Sequence, residues 1–182
     1  MQKKLSLMLI GLVISGLAMI SCSKESSYTV EEIEDGDTIT VDFNGQSQRI
    51  QLSGIDAPEN TENAKFNLDI KAKGLTKNAL LKLGEKSTQY LKSQLTIGDQ
   101  VILQGNLRQA DKYGRIPAIV MTEKGESLNL KMVQEGYAVL LKRFPLEEEF
   151  KLSLEKAQQQ AILNKKGLWG TDTELTTKWS GR

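Results

Sequence analysis

The sequence contains no histidine. Imidazole metal sites and histidine general bases are therefore excluded. It has one cysteine, Cys22, so no internal disulfide can form and no thiolate cluster can hold zinc. A strong charge of one sign is also missing, since 24 basic side chains stand against 23 acidic ones. A surface for a polyanion must then be a local patch rather than a global field. Finally, the uncharged N-terminal run from Leu5 to Ile20 falls short of the roughly 20 apolar residues that a membrane span requires.

What is present at that end is Lys3 and Lys4, the run rich in Leu, Ile, Met, Gly and Ser, and then Ser21-Cys22 followed by the polar stretch Ser23 to Ser27. This order is that of a cleaved signal peptide, residues 1–21. Cys22 at that place resembles a lipoprotein acylation site, with Met19 standing where such sites usually carry Leu; the other reading is a stray thiol in a cleaved leader. Acylation would tether the chain to the cell envelope through a linker, residues 22–27, and put its domain outside the cytoplasm, at an outer membrane or cell surface. Removing the leader takes away two lysines and no acid, leaving 22 basic against 23 acidic side chains. The remaining length suits one domain with one core.

From Tyr28 onward, Tyr28 to Ile33, Thr38 to Phe43 and Gln48 to Leu52 carry apolar and β-branched residues at alternate positions. Asn44-Gly45 between the second and third runs is a hairpin signal. Gln100 to Leu107 and Arg115 to Met121 complete five strands. Phe150, Leu154, Ala157 and Ala161 recur on one helical face, with Glu147 to Glu149 at its start, Lys165 and Lys166 at its end, and Gly167 as the stop. Ser127 to Glu135 and Glu85 to Leu95 read as two further helices, whereas Asn60 to Leu83 reads as a mobile loop with one helical turn. The expected fold is α+β, mainly β: a five-stranded Greek-key barrel of the OB type with three packed helices, over residues 28–170, and a C-terminal tail, 171–182.

Three short motifs carry the candidate chemistry: Asp35-Gly36-Asp37-Thr38, Gly54-Ile55-Asp56-Ala57-Pro58-Glu59 and Asp111-Lys112-Tyr113-Gly114-Arg115. Each has a plain structural reading by itself, as a strand turn, an acidic helix cap and an exposed turn. In this order on this strand pattern, and with Lys166-Gly167-Leu168-Trp169 near the end, they resemble the thermonuclease (staphylococcal nuclease-like) family.

The resemblance implies a calcium-dependent endonuclease acting on DNA and RNA as a monomer. It makes Asp37 and Asp56 carboxylate ligands of Ca²⁺ and Ala57 a carbonyl ligand. Glu59 matches the glutamate that orients or deprotonates the attacking water, and Arg115 one of two arginines that grip the phosphate. Lys112 and Tyr113 beside it would line the substrate groove. Hard oxygen donors suit Ca²⁺, and a guanidinium suits a phosphate in its transition state.

The sequence departs from the family at Gln51, which stands five residues before Asp56 where the second arginine is expected. Losing a charged donor costs on the order of 2–4 kcal/mol in the transition state, or about 10² to 10³ in rate. Arg49 shares the strand face of Gln51, about 7 Å away. It either leans into the site as a substitute or is a solvated strand residue. Phe144, directly after Lys142 and Arg143, is a candidate stacking platform for a base. A binding module with little hydrolytic activity is the alternative to the enzyme; it leaves Asp37, Asp56 and Glu59 without a use, because three acids repel a phosphate unless a cation lies between them.

Overall fold

A computed structural model describes residues 26–182. The expected signal segment and Cys22 lie outside the described residues. The first strands form where alternation dictates: β1 (Ser27–Ile33), β2 (Thr38–Asp42) and β3 (Ser47–Leu52) point Val30, Ile39, Val41, Ile50 and Leu52 inward with essentially no exposure. At the β2–β3 turn Asn44 and Gly45 both take positive φ, 56° and 83°, and Phe43 and Gln46 close it with two backbone hydrogen bonds. Positive φ at both central positions matches the strand twist, which is why Asn-Gly is found there.

After the two-residue β4 (Ile55–Asp56), the barrel resumes with β5 (Gln100–Gln104) and β6 (Ile116–Thr122). The strands close in the order β1-β2-β3-β6-β5, with β5 pairing back to β1. The β3–β6 pair is parallel and the other barrel pairs are antiparallel. This is the five-stranded barrel expected. Short β7 (Val139–Leu140) pairs with β4 outside it, Asp56 opposite Val139, and so fixes the strand that carries Asp56.

Six helices are present among the described residues rather than three: α1 (Ala64–Lys73), α2 (Lys77–Gln94), α3 (Leu128–Gln134), α4 (Glu148–Leu163), α5 (Leu168–Thr171) and α6 (Thr173–Ser180). The helices expected at Ser127 to Glu135 and around Phe150 to Ala161 are α3 and α4. The stretch Asn60 to Leu83, expected as a loop, is instead α1 and the start of α2. Its periodicity is weak because α1 fully buries Phe66 alone. Its ends are nevertheless written in the sequence: the Asn63 and Thr76 side chains accept from the third amide beyond them, and Gly74 closes α1 at φ 59°.

The segment expected as a tail is helical and packed. Trp179 on α6 is fully buried in a second apolar cluster with Phe66, Leu80, Leu83, Leu168 and Trp169. Asp172 pairs with both Lys82 and Lys86 of α2, and these hydrogen bonds outweigh its burial to hold its carboxyl down at about 2. No helix among the described residues is long and apolar enough to cross a membrane.

Candidate active site

Three segments converge beside the barrel: the β1–β2 turn, the stretch after β4, and the turn before β6. In the first, the Asp37 amide donates to Asp35 Oδ1 (2.9 Å), winding the turn so that Asp37 points inward. There its Oδ2 accepts from the Ala57 amide (2.7 Å), joining the first motif to the second. Gly36 is required by packing, since a Cβ there would lie 2.0 Å from Ser87 Oγ and 2.8 Å from Ala57 Cβ. Helix α2 also presses on the second motif directly. A Cβ on Gly84 would lie 2.2 Å from the Glu59 carbonyl oxygen.

Glu59 is 7% exposed. Its Oε2 accepts from Asn63 Nδ2 (2.5 Å) and its Oε1 from Lys65 Nζ (2.7 Å). Lys65 also reaches Asp56 Oδ1 at 3.0 Å, the Ala57 carbonyl at 3.4 Å and Asp69 Oδ2 at 3.7 Å. Its ammonium is thus ringed by oxygens, in a region the sequence pattern presents as a loop. Burial pulls the Lys65 pKa down, but the charges of Asp56, Asp37 and Glu59 more than reverse this and raise it.

The carboxylates are charge-starved in spite of that lysine. Burial first, and Asp35 beside it, push Asp37 up to about 7. Burial, opposed by Lys65 and reinforced by Asp37, pushes Asp56 up to about 6. Asp35 is raised as well, again chiefly by burial. Acids held in this condition are stabilised by any added positive charge. The donors, Asp37, Asp56 and the Ala57 carbonyl, are all hard oxygens and fit a cation such as Ca²⁺ in kind. They do not form a finished cage: no three Asp, Glu, His or Cys side chains converge as a metal-holding group among the described residues.

In the third motif Asp111 organises the turn. Its Oδ1 accepts from the amides of Tyr113 (2.8 Å) and Arg115 (3.0 Å), and its Oδ2 holds the Arg115 guanidinium through two bonds of 3.0 and 2.9 Å. Arg115 lies over the Tyr113 ring, 5.3 Å from its centroid, and Lys112 stands 4.9 Å from the same ring. Gln48 Nε2 on β3 donates to the Gly114 carbonyl (2.9 Å), tying this turn to the barrel.

The three segments enclose a cleft of about 230 Å³ lined by Asp35, Arg49, Glu59, Asn63, Ala64, Lys65, Tyr113 and Arg115. Arg49 therefore belongs to the cleft. Gln51 is not part of its lining; it accepts from Thr38 Oγ1 at 3.4 Å. Arg49 is held by Glu34 through bonds of 2.8, 2.9 and 2.5 Å, and Glu34 is fixed in turn by Thr40 at 2.8 Å. With the Arg49 side chain 46% exposed, such a pair is worth no more than about 1 kcal/mol.

Phe144 is placed elsewhere. It lines a separate, open groove of about 750 Å³ with Asn106, Pro117, Leu146 and Glu147, so it is not a stacking platform of this cleft. The aromatic that the cleft does hold is Tyr113, 57% exposed. Sequence reasoning passed over Lys65, Asn63 and Glu34. Asn63 was legible as a helix cap; Lys65 and Glu34 gain their meaning from contacts that no local spacing announces.

Barrel and cleft together define an OB-type α+β barrel carrying an acidic site faced by two arginines. A profile of the family described as staphylococcal nuclease homologue matches residues 49–171. The chain is 32% identical over 143 residues to the thermonuclease of Staphylococcus intermedius, covering 79% of this chain and 76% of that one. It is 31% identical over 157 residues to endonuclease YhcR of Bacillus subtilis, covering 84% of this chain but 12% of that much longer protein. An uncharacterised endonuclease of Haemophilus influenzae is 30% identical over 176 residues, 93% of this chain and 79% of that one. The chain belongs to the staphylococcal nuclease family. Nuclease activity is accordingly assigned at the level of the family.

Proposed function

We propose that this protein hydrolyses phosphodiester bonds of DNA and RNA in a Ca²⁺-dependent reaction, as a monomer, outside the cytoplasm and anchored to the envelope by a lipid on Cys22. The observation that carries the catalytic part is the sharing of one cleft by Glu59, Arg115 and Arg49 next to the Asp37–Asp56–Ala57 oxygens. Glu59 is the base: nearly buried, with both oxygens already accepting hydrogen bonds, it is aimed rather than free to rotate. It orients a water and takes its proton as the oxygen attacks phosphorus; the bond from phosphorus to the ester oxygen opposite breaks, and that oxygen leaves as a hydroxyl after taking a proton from solvent.

Arg115 and Arg49 exchange their acidic partners for the phosphate oxygens and oppose the charge that grows on them. Tyr113 offers an exposed ring against which a base or sugar can rest. Bound at Asp37, Asp56 and the Ala57 carbonyl, Ca²⁺ would supply a Lewis acid for a phosphate oxygen and lower the pKa of a coordinated water. Gln51 is the weakened position, since a neutral amide brings no charge.

One feature of the site supports the second reading, a nucleic-acid-binding barrel with little hydrolysis: in this arrangement every charged group of the cleft already has an internal partner. Hydrolysis of single-stranded DNA by the purified protein, in excess Ca²⁺ and in chelator, with DNA binding followed in parallel, separates the two. Cleavage in Ca²⁺ alone supports the nuclease, and binding without cleavage supports the module.

A further inference from the structure

The Lys65 ammonium contacts oxygens of Asp56, Ala57 and Glu59 at 3.0, 3.4 and 2.7 Å. Two of these three residues are the ones assigned to the cation, and the third is the base. A single positive group on α1 therefore holds part of the metal site and the catalytic carboxylate at once. Its side chain is 39% exposed, so an outward swing into solvent needs no unfolding of the helix.

We propose that Lys65 is an internal competitor of the divalent cation: the ion enters by displacing its ammonium from Asp56 and the Ala57 carbonyl, and that displacement uncovers Glu59. The physical reason is exclusion of like charge. A cation at Asp56 and an ammonium 3.0 Å from the same carboxylate, whose side chain is only 17% exposed, repel each other. Metal arrival then does two things, supplying its own charge and releasing Oε1 of Glu59 from the lysine. In the absence of metal the lysine offsets part of the acidic cluster's charge and masks one oxygen of the base.

This rests on Asp37, Asp56 and Ala57 being the cation site, and the test separates the two ideas. Ca²⁺ binding is measured by titration calorimetry on the wild-type protein, Lys65→Met and Asp56→Asn. Lys65→Met keeps the apolar stem and removes the charge, so its Kd for Ca²⁺ should fall by about tenfold or more. Asp56→Asn should weaken binding. On the wild-type protein, mass-spectrometric counting of amine acetylation should show Lys65 labelled faster in Ca²⁺ than in chelator, because displacement exposes it. Unchanged or weaker Ca²⁺ binding in Lys65→Met, or Lys65 labelling that does not rise with Ca²⁺, overturns the competition while leaving the cation site standing. Equal binding by the wild-type protein and Asp56→Asn, or no binding at all, overturns the site assignment and the competition with it.

Discussion

Arg49 and Gln51 stand two residues apart on β3, yet Arg49 lines the cleft that holds Glu59 and Arg115 while Gln51 turns to Thr38. The register explains how. Gln51 pairs with Thr38 at the buried end of β2, whereas Arg49 pairs with Thr40 and meets Glu34 across the cleft edge. A positive charge thus lines the cleft two residues upstream of Gln51.

Arg49→Ala should lower kcat/KM on single-stranded DNA by about 10² to 10³, the usual cost of a charged transition-state donor. Gln51→Arg introduced into that variant should restore much of the loss. An Arg49→Ala protein with full activity would make Arg49 a solvated strand residue after all.

Gly84 tests how the Glu59 segment is held. In an ordinary helix Gly→Ala stabilises by about 1 kcal/mol. Here the new methyl would lie 2.2 Å from the Glu59 carbonyl oxygen, a backbone atom that cannot step aside cheaply. Overpacking of this kind costs about 1–3 kcal/mol and should win. Gly84→Ala is expected to lower the urea midpoint and reduce kcat together.

The acidic cluster sets a pH dependence in the presence of chelator. Asp37 and Asp56 have folded-state values of about 7 and about 6, above their ordinary 3.8, so the folded chain binds protons that the unfolded chain has released. Their contribution to stability is present below about 4 and lost as pH rises toward 7. The thermal midpoint should therefore fall across that interval, and Asp56→Asn should flatten the decline. Asp172, held at about 2, acts in a different window, losing its contribution only as pH falls below about 4.

The C-terminal helix should behave as part of the domain. Trp179 is wholly enclosed, and Trp179→Ala is expected to cost about 3–5 kcal/mol in denaturant unfolding. A cost near zero would return residues 171–182 to the status of a tail.

The barrel was legible in the sequence because its strands alternate cleanly and Asn44-Gly45 marks their hairpin. The three motifs were legible for a related reason: turns that must aim carboxylates inward need Asp and Gly at fixed places. Helix α1 was not, because it buries Phe66 alone and offers no stripe to count. Lys65 escaped notice for the same cause, six residues beyond Glu59 in a segment whose folding back depends on the Asn63 cap and on the close passage of Gly84. The partner of Arg49 likewise lies fifteen residues earlier, across a strand pairing that spacing alone does not reveal. The place of Phe144 was not legible either: it stands after two cations in the sequence, while the fold turns it into a groove other than the one that holds Glu59.

The most direct test of the central claim is the single-turnover rate of single-stranded DNA cleavage in saturating Ca²⁺, wild type beside Glu59→Gln. Glutamine keeps the shape and loses the base, so the rate should drop by about 10² or more, with DNA affinity retained. Equal rates in the two proteins would show that Glu59 does not activate the water, and would contradict the assignment of this cleft as the catalytic site.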